Sequence, residues 1–274
     1  MAAKRIDLLT VPVDIIQNEE LEEKILAMLA EPSAKQIVFL SVWDLLRARI
    51  NAEYLVALRN ADLVLPISKS IIKGAKFLKL PIPKRYNPFD AVIKVLGILD
   101  RHYKSVFLFG AHKKSLMTAE KNVHFTFPGL KIVGRYVGYY PKDAEKNITQ
   151  AIFKASPSLV LIGSGIKKGV LWVHRRRNVF NNSIFLWYSD VIDIFSSRKK
   201  RISPKVFEKG LEIWPAILKN PLRIFLIFPF IWFKLLLLGY KISGKSKQQL
   251  NEENVLSENE ENSKNENTPA KSGE

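Results

Sequence analysis

The sequence predicts an α/β fold: a Rossmann-like, mostly parallel sheet flanked by helices, with a C-terminal membrane-associating helical appendage. Three observations predict it. Six short apolar runs rich in β-branched and aromatic residues alternate with six helical patterns. Several of those runs end in glycine, as strands do when they turn sharply beside a ligand. A long apolar stretch then stands by itself near the end of the chain.

In chain order, the strand candidates are QIVFLSV (36–42), DLVLP (62–66), SVFLFG (105–110), KIVGRYVG (131–138), SLVLIGSG (158–165) and SIFLWYS (183–189). Each is short, apolar and bounded by turn residues. The helical candidates between them are 44–60, 68–79, 89–102, 113–124, 142–155 and 166–179. Alternation at this spacing implies βαβ units and parallel strands, with ligands bound outside the carboxyl ends. Gly110, Gly138, Gly163 and Gly165 fall at those ends and allow close backbone approach. GSG by itself is no dinucleotide fingerprint.

The segment from Ile224 to Tyr240 spans 17 residues, with Pro229 and Lys234 inside it. A membrane-spanning helix needs about 20 apolar residues. The stretch therefore suits a helix lying in the interface, with Trp232 and Tyr240 at headgroup depth and Lys234 on anionic lipid. A core helix and a true span are the alternatives. The last 30 residues are polar and low in complexity, so they cannot offset the entropy of ordering and are expected to be disordered. The expected organisation is a domain over 1–203, an appendage over 204–244 and a tail over 245–274.

Composition narrows the function. There is no cysteine, which excludes disulfides and thiolate metal sites. The N-terminal MAAKRIDLLTVPVDIIQNEE has no continuous apolar segment of the secretory type. The formal charge is +17; residues 245–274 contribute −3, so the body carries about +20 and attracts polyanions such as anionic lipid or phosphorylated small molecules. VHRRRN (173–178) and SRKKR (197–201) are basic clusters open to phosphate, lipid or nucleic acid, or to a solvated helix face. No aromatics interleave with them at regular spacing, so nucleic acid is an unlikely partner. His102, His112, His124 and His174 show no metal-ligand spacing, and neither a metal nor a cofactor is expected.

The stretch 105–165 resembles the core of the TagA/WecG/CpsF glycosyltransferases. The matching positions are Phe107 to Gly110, Pro128 to Gly134, Gly138 with Tyr139, and Pro157 to Gly165. VPVD (11–14) resembles the family's opening strand; GLE (210–212) and Pro221-Leu222-Arg223 resemble its C-terminal signature. The resemblance covers about residues 6–240. It implies transfer of an N-acetylated hexosamine, or its uronate, from a UDP-sugar to a polyprenyl-diphosphate-linked sugar. Such transfer inverts the anomeric centre, takes place at the cytoplasmic face of the inner membrane and serves cell-surface polysaccharide assembly. Carried over residue by residue, the resemblance marks Arg85, Asp90, Gly110, Gly138, Tyr139, Gly163, Gly165 and Arg223 as substrate-binding positions. Arg85 would stabilise the diphosphate leaving group.

The reactive positions depart from the pattern. The family's Thr-x-Asn becomes Phe39 and Ser41, and the Asp expected to deprotonate the acceptor is Ile67, which cannot accept a proton. A Gln-Glu pair is lost at Lys167-Lys168-Gly169-Val170, although Trp172 keeps the family's tryptophan. Of the Gly-Val-Gly-Gly-Ala-Phe-Asp stretch, at Trp187 to Asp193, only the last Asp remains. The bulk of Phe39 and Trp187 is expected to narrow the pocket. A base would then be Asp190, Asp193 or the substrate's own phosphate. Two readings follow. One is a membrane-associated hexosamine transferase with an atypical base. The other is a catalytically inactive homologue that scaffolds or regulates through lipid-linked glycan or a partner transferase, with homo-oligomerisation also open.

Overall fold

A computed structural model describes residues 4–211, 225 and 227–243. Arg223 and the expected tail lie outside these residues. The first described elements are a hairpin of β1 (Lys4–Leu8) and β2 (Val11–Ile15), of which the family resemblance points only to the second strand. Leu9 and Thr10 turn it with φ of 53° and 71°, the left-handed pair that a two-residue hairpin needs. Asp14, buried, takes two bonds from Arg5 (2.7 and 2.8 Å) and one from the Val64 amide (2.6 Å). A buried carboxylate needs such partners, and here they seat the hairpin beside the sheet.

Six parallel strands follow: β3 (Lys35–Leu40), β4 (Leu63–Pro66), β5 (Ser105–Phe109), β6 (Lys131–Tyr136), β7 (Leu159–Ile162) and β8 (Ile184–Trp187). Their order is β4-β3-β8-β7-β5-β6, all pairs parallel, as the alternation of runs predicts. The chain winds one way from β3 to β4, crosses to β5 and β6, and returns through β7 and β8 to the centre. Successive strand residues face opposite layers. Leu63, Leu65, Val106, Leu108, Leu159 and Leu161 pack under α1 (Glu20–Ala30), α5 (Pro88–Arg101), α6 (Lys113–Thr126) and α9 (Val191–Phe195). On the other face, Val38 and Leu40 meet α2 (Val42–Ile50), α3 (Ala52–Arg59) and α4 (Lys69–Phe77). Phe109 and Val160 on that face meet α7 (Ala144–Ala155) and α8 (Gly169–His174).

The segment 44–60 is two helices rather than one. Asn51 is extended (φ −132°, ψ 103°) and its side chain caps Tyr54 N at 2.8 Å, competing with helix continuation. Helix α8 ends at His174, well short of the expected 179, and a 3₁₀ turn (Arg177–Val179) completes the segment.

After α10 (Pro204–Lys209), α11 (Phe228–Ile242) docks by a narrow stripe. Phe233 and Leu237 are buried. Gly74 of α4 makes room for them: a Cβ there would lie 2.9 Å from the Phe233 ring. Phe228, Ile231, Trp232, Leu235, Leu238 and Ile242 stay exposed. No helix among the described residues is long and apolar enough to cross a membrane.

Candidate functional site

The loops after β3, β4 and β8 surround a cavity of about 460 Å³ at the carboxyl edge of the sheet. Ser41 and Trp43 follow β3; Ile67, Ser68, Lys69 and Ser70 follow β4; Tyr188 and Asp190 follow β8. Phe207 and Gly210 of the α10 segment, with Ile227 and Phe230, form its roof. The size is that of a small-molecule site.

The roof is held by two cations. Arg85 Nε donates to Ile67 O (2.8 Å) and its Nη1 to Phe207 O (2.5 Å), and the guanidinium lies 3.7 Å over the Phe207 ring. Burial pushes its pKa down to about 10, so it remains a cation at neutral pH. Lys69 Nζ donates to Glu208 O at 2.9 Å, at the carboxyl end of α10, where a cation is favoured. Gly210 (φ +74°) closes that end and packs on the lysine stem. The cleft is therefore less cationic than the +20 body suggests: Lys69 is the one basic residue among its described lining, and its ammonium serves the roof. Arg85→Ala would leave the Ile67 and Phe207 carbonyls without this donor and loosen the roof. A loss of about 1–3 kcal/mol is expected, read as a lower midpoint in urea unfolding.

Of the two candidate bases, the structure brings one into the cavity. Asp190 lines it; its Oδ2 is paired with Lys199, and Ser189 Oγ donates to its Oδ1 at 3.2 Å. Asp193 is not among the lining residues. It accepts from Ser164 Oγ at 2.7 Å, lies 3.9 Å from Arg198, and ties the loop after β7 to α9. Tyr188, which the sequence reading does not single out, lines the cavity with Phe39 edge-on behind it at 6.1 Å. Burial first, then the charges of Asp190 and Asp90, push its pKa well above the usual tyrosine range, so the phenol stays neutral. Asp90 sits in the first turn of α5, beside this group.

Phe39 and Trp187 are not among the described residues lining the cavity. Trp187 instead packs over Gly169 at the start of α8, where a Cβ would lie 2.1 Å from the indole. The two positions fit each other: Gly169 leaves the space that the Trp187 indole fills. Ser41, in the other departed motif, caps α2 in a reciprocal box with Asp44.

The glycines cluster at the carboxyl ends of β5, β6 and β7. A Cβ on Gly110 (φ +142°) would meet the Gly163 backbone at 2.8 Å, and one on Gly138 would meet Ser164 O at 2.0 Å. Their close approach is to one another's loops. Beside them Tyr139 stacks on His112 (4.1 Å, 11°), next to a second cavity of about 310 Å³ lined by Lys114 and Arg198. The basic cluster 173–178 is consumed internally: Arg175 pairs with Glu53, Arg176 with Glu145 and Arg177 with Asp62.

A parallel sheet with a substrate-sized cleft across its carboxyl edge defines a Rossmann-like α/β protein of the ligand-processing kind. The model of the glycosyl transferase WecG/TagA/CpsF family matches residues 6–247. The chain belongs to that family. It is similar to N-acetylglucosaminyldiphosphoundecaprenol N-acetyl-β-D-mannosaminyltransferases from three bacteria. The Bacillus spizizenii protein is 27% identical over 63% of this chain and 66% of its own length. The Bacillus subtilis protein is 22% identical over 78% and 80%, and the Staphylococcus aureus protein 21% over 75% and 80%.

Proposed function

We propose that this protein transfers an N-acetylmannosamine-type sugar from a UDP donor to N-acetylglucosamine linked through diphosphate to a polyprenol, with Asp190 as the general base. One observation carries the reading: the cavity where Ile67 stands in place of the acid that the resemblance implies is lined by another carboxylate, Asp190, on the β8 loop across β3. In the step, Asp190 takes the proton of the acceptor hydroxyl, that oxygen forms a bond to the donor's anomeric carbon, and the bond to UDP breaks with inversion. Tyr188, a neutral phenol lining the same cavity, would hydrogen-bond a sugar. The relatives' activity supports the substrate class; an inactive scaffold is the less favoured reading.

The test supplies purified protein with a panel of UDP-N-acetylhexosamines and a soluble short-tailed N-acetylglucosamine-diphosphate lipid. UDP release with formation of the disaccharide lipid is expected. UDP binding without any transfer would defeat the reading and leave the scaffold.

The protein works, on this reading, as a peripheral protein at the cytoplasmic face of the membrane. Residues 1–203 form the sugar-transferring domain, and 204–244 form the appendage that meets lipid. The exposed apolar face of α11, with Lys234 and Lys241 on the same helix, supports that contact. Reversing both charges (Lys234→Glu with Lys241→Glu) is expected to weaken binding to anionic vesicles at least tenfold, at about 1 kcal/mol per cation, without lowering residual binding to neutral ones. Equal sedimentation of both proteins with anionic vesicles would remove α11 from the contact.

A further inference from the structure

We propose that the groove between α2 and α11 seats the isoprenoid chain of the lipid-linked acceptor; the proposal rests on the transferase reading above. The groove has a volume of about 630 Å³ and is walled by Trp43 and Ile50 on one side and Ile231, Trp232 and Leu235 on the other, with Arg47 as its charged member. These apolar side chains remain well exposed, Ile50 at 88%, so the folded domain leaves them without a core to join.

Continuity with the cleft names the occupant. Trp43 lines both the groove and the 460 Å³ cavity. A ligand with a glycan-diphosphate head in the cavity and an aliphatic tail can pass from one to the other along a single indole. Charge agrees. Apart from Arg49 and Lys69, whose heads bond to the Leu9 and Glu208 carbonyls, helices α2, α4 and α11 carry Arg47, Lys73, Lys76, Lys234 and Lys241 against the single carboxylate of Asp44. That surface favours an anionic amphiphile. A free membrane acyl chain would satisfy the groove's apolarity but has no reason to share the residue that lines the catalytic cavity.

The test uses the full chain and the triple variant Ile50→Gln, Ile231→Gln, Leu235→Gln, none of which lines the cleft. Two acceptors carry the same head, one on a short alkyl tail and one on a long polyprenyl chain, both in nonionic detergent without bilayers. The native protein is expected to show a KM at least tenfold lower for the long chain. The variant should lose that preference while keeping the native kcat and KM for the short tail. A native protein indifferent to chain length overturns the proposal, as does a variant that keeps the preference, even one that has lost vesicle binding. If neither acceptor is turned over, the transferase reading fails by itself. The groove is then judged by farnesyl diphosphate: saturable quenching of tryptophan fluorescence in the native protein but not in the variant supports it, and its absence in both overturns it.

Discussion

Asp190→Asn is expected to lower turnover roughly 10²- to 10⁴-fold, the usual contribution of a positioned base, while UDP affinity changes little. The substitution is nearly isosteric and Asp190 is half-exposed at the start of α9, so folding should survive it. What it removes is the one carboxylate in the cleft's described lining, to which the loop after β4 contributes Ile67, Lys69 and two serines. Asp193→Asn is the matched control. That residue is held by Ser164 and Arg198 outside the cleft lining, so its loss should lower stability and leave turnover within a few-fold of native. Steady-state kinetics of both variants decide the matter. An Asp190→Asn protein with native turnover would return the base to Asp193 or to the substrate's own phosphate.

Gly138→Ala should destabilise the fold by at least about 3 kcal/mol, a cost reserved for substitutions with nowhere to relax. The added methyl would stand 2.0 Å from Ser164 O and 2.9 Å from Ala111 N and Gly110 Cα. All three are backbone atoms, which cannot swing aside as a side-chain tip can. The loops after β5, β6 and β7 are also cross-bonded here: Ala111 N donates to Ser164 O at 2.7 Å, and Gly138 N to Ala111 O at 2.9 Å. Separating them to admit a methyl would break both bonds. Chemical unfolding measures the effect. A native midpoint together with weakened UDP binding would make Gly138 a substrate contact instead of a packing residue.

Five of the six sheet strands are legible because each is a largely buried run of residues that pack on both faces, and that demand is written locally; β6, at the edge, alternates exposed and half-buried residues and is legible from its β-branched residues and its turn-forming neighbours. Helix α1 is legible in retrospect: Leu21, Ile25 and Met28 recur on one face behind an acidic first turn. Its period is weakened by Lys24 and the flanking glutamates, and it stands outside the strand–helix alternation. The first strand of the hairpin is harder. Lys4–Leu8 gains its place from Asp14 and the edge of β4, and its turn uses Leu9 and Thr10 where sequence rules look for glycine or asparagine.

The sequence by itself determined the parallel α/β class, the family through its Gly and Pro-Gly signatures, the isoleucine at position 67 where the resemblance implies an acid, and the apolar C-terminal helix. These depend on spacing and residue type within short windows. Only the tertiary structure decided which carboxylate faces the cleft, because Asp190 and Asp193 lie within one turn of a five-residue helix and point to different neighbours. It alone decided that Arg85 and Lys69 hold a roof, that Arg175, Arg176 and Arg177 neutralise distant acids, and that α11 buries Phe233 and Leu237, half-buries Phe230, Leu236 and Tyr240, and leaves its outer apolar face exposed. Each of those outcomes depends on a partner far along the chain, brought near by the winding of the sheet, and no local pattern carries that distance.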